Sequence, residues 1–374
     1  MTQPIGDETA ESAGSSEEET SSLYDVLKPP SGADPFDMVK GQLSVLGDDI
    51  RELVDTDHPV LKLAASHFFS LKSGKKFRPT IVLHMAKICA AAFETAGAGD
   101  EAGAGGKTEE EQAAIFERQR KLGQITEMIH TASLIHDDVL DEAETRRGFD
   151  AVHKVYSNKV AVLAGDFLLA RASVLLARLG NVVVVEEMAK ALDALVTGEV
   201  MQARARPEDL STFDWYIRKS YYKTASLIAQ SCKSAALLQG FLPGSEQVVA
   251  AEKFGYHLGL SFQIVDDLLD FTASADLLGK PALSDVRNGH ATAPVLFAMD
   301  EHPALKPLIH RKFKNDGDVD LTFKLLKQSK GLQRTKELAE WHAQEAARWL
   351  SVFPETESSQ ALVRVLNRVV TRQK

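Results

Sequence analysis

Two short runs of aspartates are the residues of this sequence best suited to chemistry. Residues 130–148 read HTASLIHDDVLDEAETRRG, in which Asp137, Asp138 and Asp141 stand at positions i, i+1 and i+4. Residues four apart share one face of a helix, so Asp137 and Asp141 are expected to point the same way. Taken alone, such a cluster is as compatible with a solvated acidic face as with a binding site.

A second run repeats the spacing in a more apolar setting. Residues 262–271 read FQIVDDLLDF, with Asp266, Asp267 and Asp270 in the same pattern. Three carboxylates on so hydrophobic a helix are costly to bury without compensation, and Mg²⁺ binds one or two carboxylates together with water and substrate phosphates. Two such helices facing each other predict a magnesium–diphosphate clamp. The predicted metal ligands are Asp137, Asp138, Asp141, Asp266 and Asp270.

These motifs carry a family resemblance. With GKKFRP at 74–79, RRG after the first cluster and YYKTASLI further on, the sequence resembles the trans-isoprenyl diphosphate synthases. The wording is closest to their long-chain branch, the solanesyl and polyprenyl diphosphate synthases, from about Asp34 to the C terminus. The resemblance implies an all-α, single-domain isoprenoid-synthase bundle with a central active-site cavity between two aspartate-rich helices.

The resemblance also implies substrate-binding residues. Lys75, Arg78 and His130 match the isopentenyl diphosphate site, and cations just before a helix N-terminus suit an anion. Their alternatives are a solvated basic loop and an ordinary core histidine. The resemblance implies that Arg146 holds the allylic diphosphate and Arg147 the isopentenyl one. Adjacent residues of a helix point apart, which suits two different partners. The remaining allylic-diphosphate contacts are Lys223, Thr224, Gln263 and Lys280.

The sequence departs from many relatives after GKP. Leu283 (with Ala282) stands where they have Gly, and His290 where a later G-K-x-T motif has Lys.

The implied reaction is head-to-tail prenyl transfer from an allylic diphosphate (farnesyl or geranylgeranyl) to isopentenyl diphosphate. The costly step is charge separation at the allylic C–O bond. Magnesium held by both clusters, including Asp267 as a catalytic residue, is expected to stabilise the leaving group, helped by Arg146, Lys223 and Lys280. The departing diphosphate is the expected base, and no side-chain nucleophile is needed.

Two small residues bear on product length. Ser133 lies one turn before Asp137, with Ala132 beside it, where short-chain relatives carry an aromatic residue that blocks the growing tail. One turn is about 6 Å deeper into the pocket, so two small side chains predict a product of about eight to ten isoprene units.

Phrases such as LSDVRNGHATAPVLFAMDEHPAL look more like the mitochondrial ubiquinone-pathway enzymes than the plastid ones. Mitochondrial localisation is therefore expected, with plastid and cytosol open, and the lipid product suggests peripheral membrane contact at release. A homodimer is the family expectation, and a heteromer with a second subunit is the other possibility. The rival functions are a class I terpene cyclase, a non-catalytic subunit of a heteromeric synthase, and a geranylgeranyl-type synthase. A second DDxxD motif argues against the cyclase.

Composition sets further bounds. The formal net charge of −10 argues against nucleic-acid binding. Cys89 and Cys232 are expected to be buried thiols. No run reaches about 18 uninterrupted apolar residues, so a soluble protein is expected.

Residues 1–33 are predicted to be a disordered acidic tail, which lacks the arginines of a mitochondrial presequence. Residues 34–374 are predicted to form the synthase domain, with a mobile loop over 95–110. The first helix is predicted from Asp37 to a break at His58-Pro59, and the others at 60–72, 79–93, 110–145, 158–178, 181–204, 211–240, 245–273, 290–300, 303–314, 319–350 and 357–372.

Overall fold

The computed structural model describes residues 24–44, 58–59, 76–97, 107–146, 149–272 and 283–373. A short 3₁₀ helix spans Asp37–Val39. The α-helices are α1 Phe77–Gly97, α2 Glu109–Leu140, α3 Val152–Tyr156, α4 Asn158–Arg178, α5 Val182–Arg204, α6 Pro207–Leu210, α7 Phe213–Ser220, α8 Ser226–Gln239, α9 Glu246–Thr272, α10 Ser284–Arg287, α11 Ala293–Glu301, α12 Leu305–His310, α13 Asp318–Lys327, α14 Gly331–Leu350 and α15 Glu357–Thr371.

The predicted all-α class is confirmed, and most predicted helices lie within a few residues of the observed ones. Within the described ranges the only strands are Thr145–Arg146 (β1) and Phe149–Asp150 (β2), which pair antiparallel. The helix predicted to continue to residue 145 ends at Leu140, and Glu142 has a φ of 51° that turns the chain. The helix predicted over 319–350 is two helices, α13 and α14.

Helix α9 is the centre of the bundle, packing against α14 on one side and α8 on another. Its apolar residues are almost completely buried, as a helix surrounded by other helices requires. Helix α2 packs against α1 and α4 and starts at a capping box, in which Thr108 and Glu111 exchange hydrogen bonds. A capping box satisfies two otherwise unpaired amide groups, so it fixes where α2 begins.

A π-helical turn, Tyr221–Ala225, separates α7 from α8, where the sequence predicted one uninterrupted helix over 211–240. Such turns are rare and concentrate at functional sites. Lys223 and Thr224, both expected to contact diphosphate, lie in this turn.

Glycines let the neighbouring helices approach the π-helical turn closely. A Cβ on Gly259 of α9 would lie 2.4 Å from the Ala225 Cα, and one on Gly198 of α5 would lie 2.7 Å from the Lys223 Cγ. Neither distance is compatible with a side chain, so glycine is required at both positions for this packing.

The N-terminal boundary lies earlier than predicted, because part of the predicted tail packs on the C-terminal helices. Val26 is buried, and its carbonyl accepts a hydrogen bond of 2.8 Å from Asn367. The Gln344 amide donates to the Tyr24 carbonyl at 2.9 Å. The folded domain therefore starts by Tyr24, and the rest of the predicted tail, residues 1–23, lies outside the described residues.

Other predicted segments also lie wholly or partly outside the described residues. These are most of the first helix, the helix at 60–72 and most of the loop at 95–110, although α1 extends the helix to Gly97 and Thr108 caps α2.

Helix α4 is long and apolar enough to cross a membrane by length and composition, although 39% of its most apolar window is buried inside the chain. The sequence expectation counted uninterrupted apolar residues, which is a stricter test than a window average. Asp166 and Arg171 interrupt the run.

We predict that Gly259→Ala lowers the free energy of unfolding by about 1–3 kcal/mol, because its methyl group would overlap the π-helical turn. It should also reduce the activity that the family resemblance implies, by moving Lys223 and Thr224. Urea denaturation and a turnover assay measure both. The matched control is Gly41→Ala, a helical position with no atom within 4 Å of the added Cβ. There the stability should rise slightly, and equal effects at the two positions would contradict the packing argument.

Candidate active site

The middle aspartate of the first cluster is held by the strand that follows it. Asp138 is only 1% exposed, and its Oδ1 accepts a hydrogen bond of 2.8 Å from the Arg146 Nε and a second from the other end of the guanidinium. Arg146 was expected to lie on a helix and point away from Arg147. It lies instead in β1, because the chain leaves the helix before reaching it. The expected contact of Arg146 with an allylic diphosphate stays a prediction.

Asp137 and Asp141, by contrast, lie among further acidic groups. Burial raises the pKa of Asp137 to about 7, as does the nearby Glu199, while Lys223 opposes the rise. Asp141 follows the last residue of α2, and partial desolvation of its carboxylate, together with the charge of Glu199, raises its pKa as well. The electrostatic influence of Asp141 on Asp137 agrees with the expected shared face.

Lys223 is the cation that this acidic group shares. Its Nζ lies 2.6 Å from Glu199 Oε1 and 3.2 Å from Gln202 Oε1, both on α5. One lysine thus balances Glu199 and faces two carboxylates of the first cluster. Sequence reasoning missed Glu199. Its only signal is a carboxylate next to Gly198, the residue on which Lys223 packs.

A chain of hydrogen bonds joins the π-helical turn to the second cluster. The Thr224 hydroxyl donates to the Gln263 Oε1 at 2.6 Å, and the Gln263 amide donates to Asp267 Oδ1 at 2.8 Å. The other oxygen of Asp267 accepts from the Tyr216 hydroxyl at 2.6 Å. Burial, followed by the charge of Asp285, raises the pKa of Asp267 to about 7. Tyr216 was not identified from the sequence, since a tyrosine without a motif is ordinary core.

Asp270 differs from the expectation of a metal-facing carboxylate. It is fully buried, with Oδ1 accepting from the Ser284 hydroxyl at 2.7 Å and Oδ2 from the Asp285 amide at 3.0 Å. The carboxylate therefore holds the start of α10, where Leu283 has a left-handed φ of 61°. These hydrogen bonds fix the orientation of the carboxylate, and its role as a metal ligand stays a prediction.

Asp266 is the aspartate of the second cluster that faces outward. It is paired with Arg372, whose Nη2 lies 2.7 Å from Asp266 Oδ1. Arg372 also donates to the Phe262 carbonyl at 2.7 Å and stacks on that ring at 4.0 Å. A guanidinium thus lies where a cation is expected to bind.

The remaining predicted residues divide between described and undescribed parts. Arg78 is half-buried in the first turn of α1, and His130 is half-buried on α2, two turns before Asp137. Burial, followed by Lys219 and Lys223, lowers the pKa of His290 to about 4, which favours the neutral imidazole at pH 7. Lys75, Arg147 and Lys280 lie outside the described residues.

The described residues contain no group of three His, Cys, Asp or Glu side chains arranged to hold a metal by themselves. Crowded carboxylates with raised pKa values nevertheless favour a cation. The donor set fits a hard metal that binds one or two carboxylates and takes its other ligands from phosphates and water. Asp137, Asp141 and Asp266 are the residues best placed for it.

The chain is similar to known proteins in both sequence and structure. The family model described as polyprenyl synthetase matches residues 58–326. The chain is 44% identical over 353 residues to a mitochondrial solanesyl-diphosphate synthase 1 of Oryza sativa, covering 91% of this chain and 79% of that protein.

Two solved structures extend the comparison. An apo medium/long-chain length prenyl pyrophosphate synthase of Arabidopsis has a TM-score of 0.70 and 40% identity, covering 91% of this chain and 100% of that one. A polyprenyl synthase of Caulobacter crescentus, complexed with calcium and isoprenyl diphosphate, has a TM-score of 0.76 and 27% identity, covering 95% and 99%.

The raised pKa of Asp137 predicts a pH-dependent cost of folding. Between the usual value of 3.8 and about 7, the folded state keeps a proton that the unfolded state has lost. Stability should therefore fall as pH rises through this window. We predict that Asp137→Asn stabilises the metal-free protein at pH 8 by about 1–3 kcal/mol while abolishing prenyl transfer.

Thermal unfolding at pH 5 and pH 8 measures the difference. Glu142→Gln, an exposed carboxylate next to the cluster, is the control and should change stability by less than about 0.5 kcal/mol. A gain for Asp137→Asn that is the same at both pH values would contradict the electrostatic explanation.

Proposed function

The chain belongs to the polyprenyl synthetase family and is a prenyltransferase, and we propose that it is a long-chain trans-polyprenyl diphosphate synthase. It adds isopentenyl diphosphate head-to-tail to farnesyl or geranylgeranyl diphosphate, using Mg²⁺. The observation that carries the proposal is the π-helical turn, where Lys223 faces the first aspartate cluster and Thr224 is joined to the second through Gln263. One short segment is thus connected to both predicted halves of the diphosphate site.

The residues divide the work as follows. Mg²⁺, when bound by Asp137, Asp141 and Asp266, neutralises charge developing on the leaving diphosphate. Lys223 carries a fixed positive charge towards the same group, and Thr224 and Gln263 are hydrogen-bonding groups already in position for it. As the allylic C–O bond breaks, the double bond of isopentenyl diphosphate attacks the allylic carbon. The departing diphosphate then removes a proton from the carbon next to the resulting carbocation, and the electrons of that C–H bond form the new double bond, so no side chain has to titrate.

Mitochondrial localisation and a role in making a quinone side chain are proposals that rest on the relatives, among them the mitochondrial solanesyl-diphosphate synthase. The plastid and the cytosol are the alternatives. Tryptic fragments of the protein in purified mitochondria would support the first. Their confinement to another compartment would overturn it.

The small residues before the first cluster support a long product. Ala132 is completely buried, and Ser133 is half-buried, with its hydroxyl donating to the His130 carbonyl at 2.9 Å. Because its hydroxyl is satisfied in this way, the Ser133 side chain is small and weakly polar one turn before Asp137. A growing prenyl tail can pass such a side chain.

We predict that the purified chain makes a ladder of products ending at about eight to ten isoprene units when given Mg²⁺, labelled isopentenyl diphosphate and farnesyl diphosphate. Ser133→Phe should shorten the longest product, because the ring would fill about one helical turn of the tunnel. Chromatography of the dephosphorylated products measures both. Ser133→Ala, which keeps the space, is the matched control. Ala132→Phe is the less clean variant, since overpacking a completely buried site also destabilises the fold.

Three results of this assay would contradict parts of the proposal. A product stopping at about four units would favour a geranylgeranyl-type synthase, and unchanged length in Ser133→Phe would overturn the tunnel assignment. No turnover by the chain alone would favour a non-catalytic subunit of a heteromer.

We further propose a homodimer formed through α4 and α5. Leu163 is 48% exposed on α4 and Val196 is 65% exposed on α5, and Val174 and Val200 repeat the pattern on the same faces. So much exposed apolar surface on two adjacent helices is typical of a subunit interface. A second copy of this chain would cover the apolar side of α4 without placing its charges in lipid.

We predict that Leu163→Glu combined with Val196→Glu converts the protein to monomers. In a symmetric dimer each substitution occurs in both subunits, so the double variant would bury four carboxylates in one apolar interface. Light scattering after size exclusion measures the mass. Leu242→Glu, at a loop residue that is 76% exposed, is the control and should leave the mass unchanged. A double variant that stays dimeric would place the interface elsewhere.

A further inference from the structure

Lys219 is a buried cation that the family motifs do not include. It lies on α7, one helical turn before Lys223, and is 9% exposed. Among the described residues no carboxylate oxygen lies within 4.0 Å of its ammonium group. The ammonium lies over the Trp215 ring, 5.3 Å from the ring centroid. Buried lysines normally have an ion pair, so an unpaired one requires an explanation.

The surrounding charges place Lys219 between the two aspartate clusters. The groups that act on it electrostatically are Asp267 of the second cluster, Asp285, and the Lys223–Glu199 pair beside the first. The charges of Lys219 and Lys223 both lower the pKa of His290. Geometry agrees: Tyr216, three residues before Lys219, contacts Asp267, and Lys223, four residues after it, contacts Glu199. Residues three and four apart on a helix are neighbours, so Lys219 lies between positions that contact both sides of the site.

A purely structural role, neutralising Asp267, is the main alternative. Both oxygens of Asp267 already accept hydrogen bonds, from Tyr216 and Gln263, and Lys219 donates to neither. Burial lowers the pKa of Lys219, with the charge of Asp267 acting in the opposite direction. The apo protein therefore carries a desolvation cost that no direct contact within the described residues offsets.

An anionic ligand would offset it. A lysine ammonium is a compact charge with three donors and a flexible stem, which suits the oxygens of a diphosphate. We propose that Lys219 binds the diphosphate of the allylic substrate as a second lysine beside Lys223. This assignment rests on the proposed function, and it concerns a residue outside the motifs that define the family resemblance.

The test is the binding of inorganic diphosphate with Mg²⁺ to Lys219→Met, measured by calorimetry. Losing a charge-assisted contact should weaken binding about 10- to 100-fold, while the melting temperature of the ligand-free protein stays level or rises. Arg218→Met is the matched control, since Arg218 is an exposed neighbour, 59% accessible and 4.0 Å from Asp214. It should leave both quantities unchanged.

Kinetics locate the contact. In Lys219→Met the KM for farnesyl diphosphate should rise, with the KM for isopentenyl diphosphate unchanged. A rise confined to isopentenyl diphosphate would overturn the assignment to the allylic site. Unchanged diphosphate affinity together with a lower melting temperature would assign Lys219 a structural role instead.

A second variant keeps the proposal testable if Lys219→Met does not fold. Lys219→Arg retains the charge and should bind diphosphate more tightly than Lys219→Gln, and equal affinities would contradict the proposal. Because calorimetry uses diphosphate itself, its outcome is separate from turnover. A wild-type chain that binds diphosphate but makes no product would count against the proposed function and not against Lys219.

Discussion

The concentration of negative charge around Lys223 is the constraint on which the rest of the site depends. Asp137, Asp141 and Glu199 converge on one lysine, and burial adds to their mutual repulsion. Such an arrangement opposes folding unless the surrounding helices hold it in place. The site consequently favours binding of a cation together with a polyanionic substrate. The cation neutralises the carboxylates, and the substrate balances the positive charge of the cation and of Lys223.

Close helix packing is what holds this unfavourable arrangement. The central helix α9 approaches the π-helical turn through Gly259, and α5 does so through Gly198. A π-helical turn accommodates an additional residue within a helix, and here that segment carries Lys223 and Thr224. Stability gained from the buried core thus offsets the charge repulsion at the site, a distribution that is common in enzymes.

The sequence allowed the fold class, most helix bounds and both aspartate clusters to be predicted, because spacing along a helix determines which residues share a face. The π-helical turn, the position of Arg146 in β1 and the burial of Asp270 against α10 were missed. The π-helical turn and the burial of Asp270 depend on contacts between separate segments, such as Gly259 with Ala225, which local periodicity does not record. The position of Arg146 depends on where α2 ends. Glu199 and Lys219 were missed because neither residue belongs to a motif.

The middle aspartate has a different role from the outer ones in both clusters, which the spacing of the motifs does not indicate. In each, the middle aspartate is buried and tethered: Asp138 by the Arg146 guanidinium, and Asp267 by two uncharged donors. A cation neutralises Asp138, whereas uncharged donors leave the charge of Asp267 to be balanced from a distance. The second cluster therefore has the greater need of an additional positive charge nearby, and Lys219 on α7 is the buried residue whose charge acts on it.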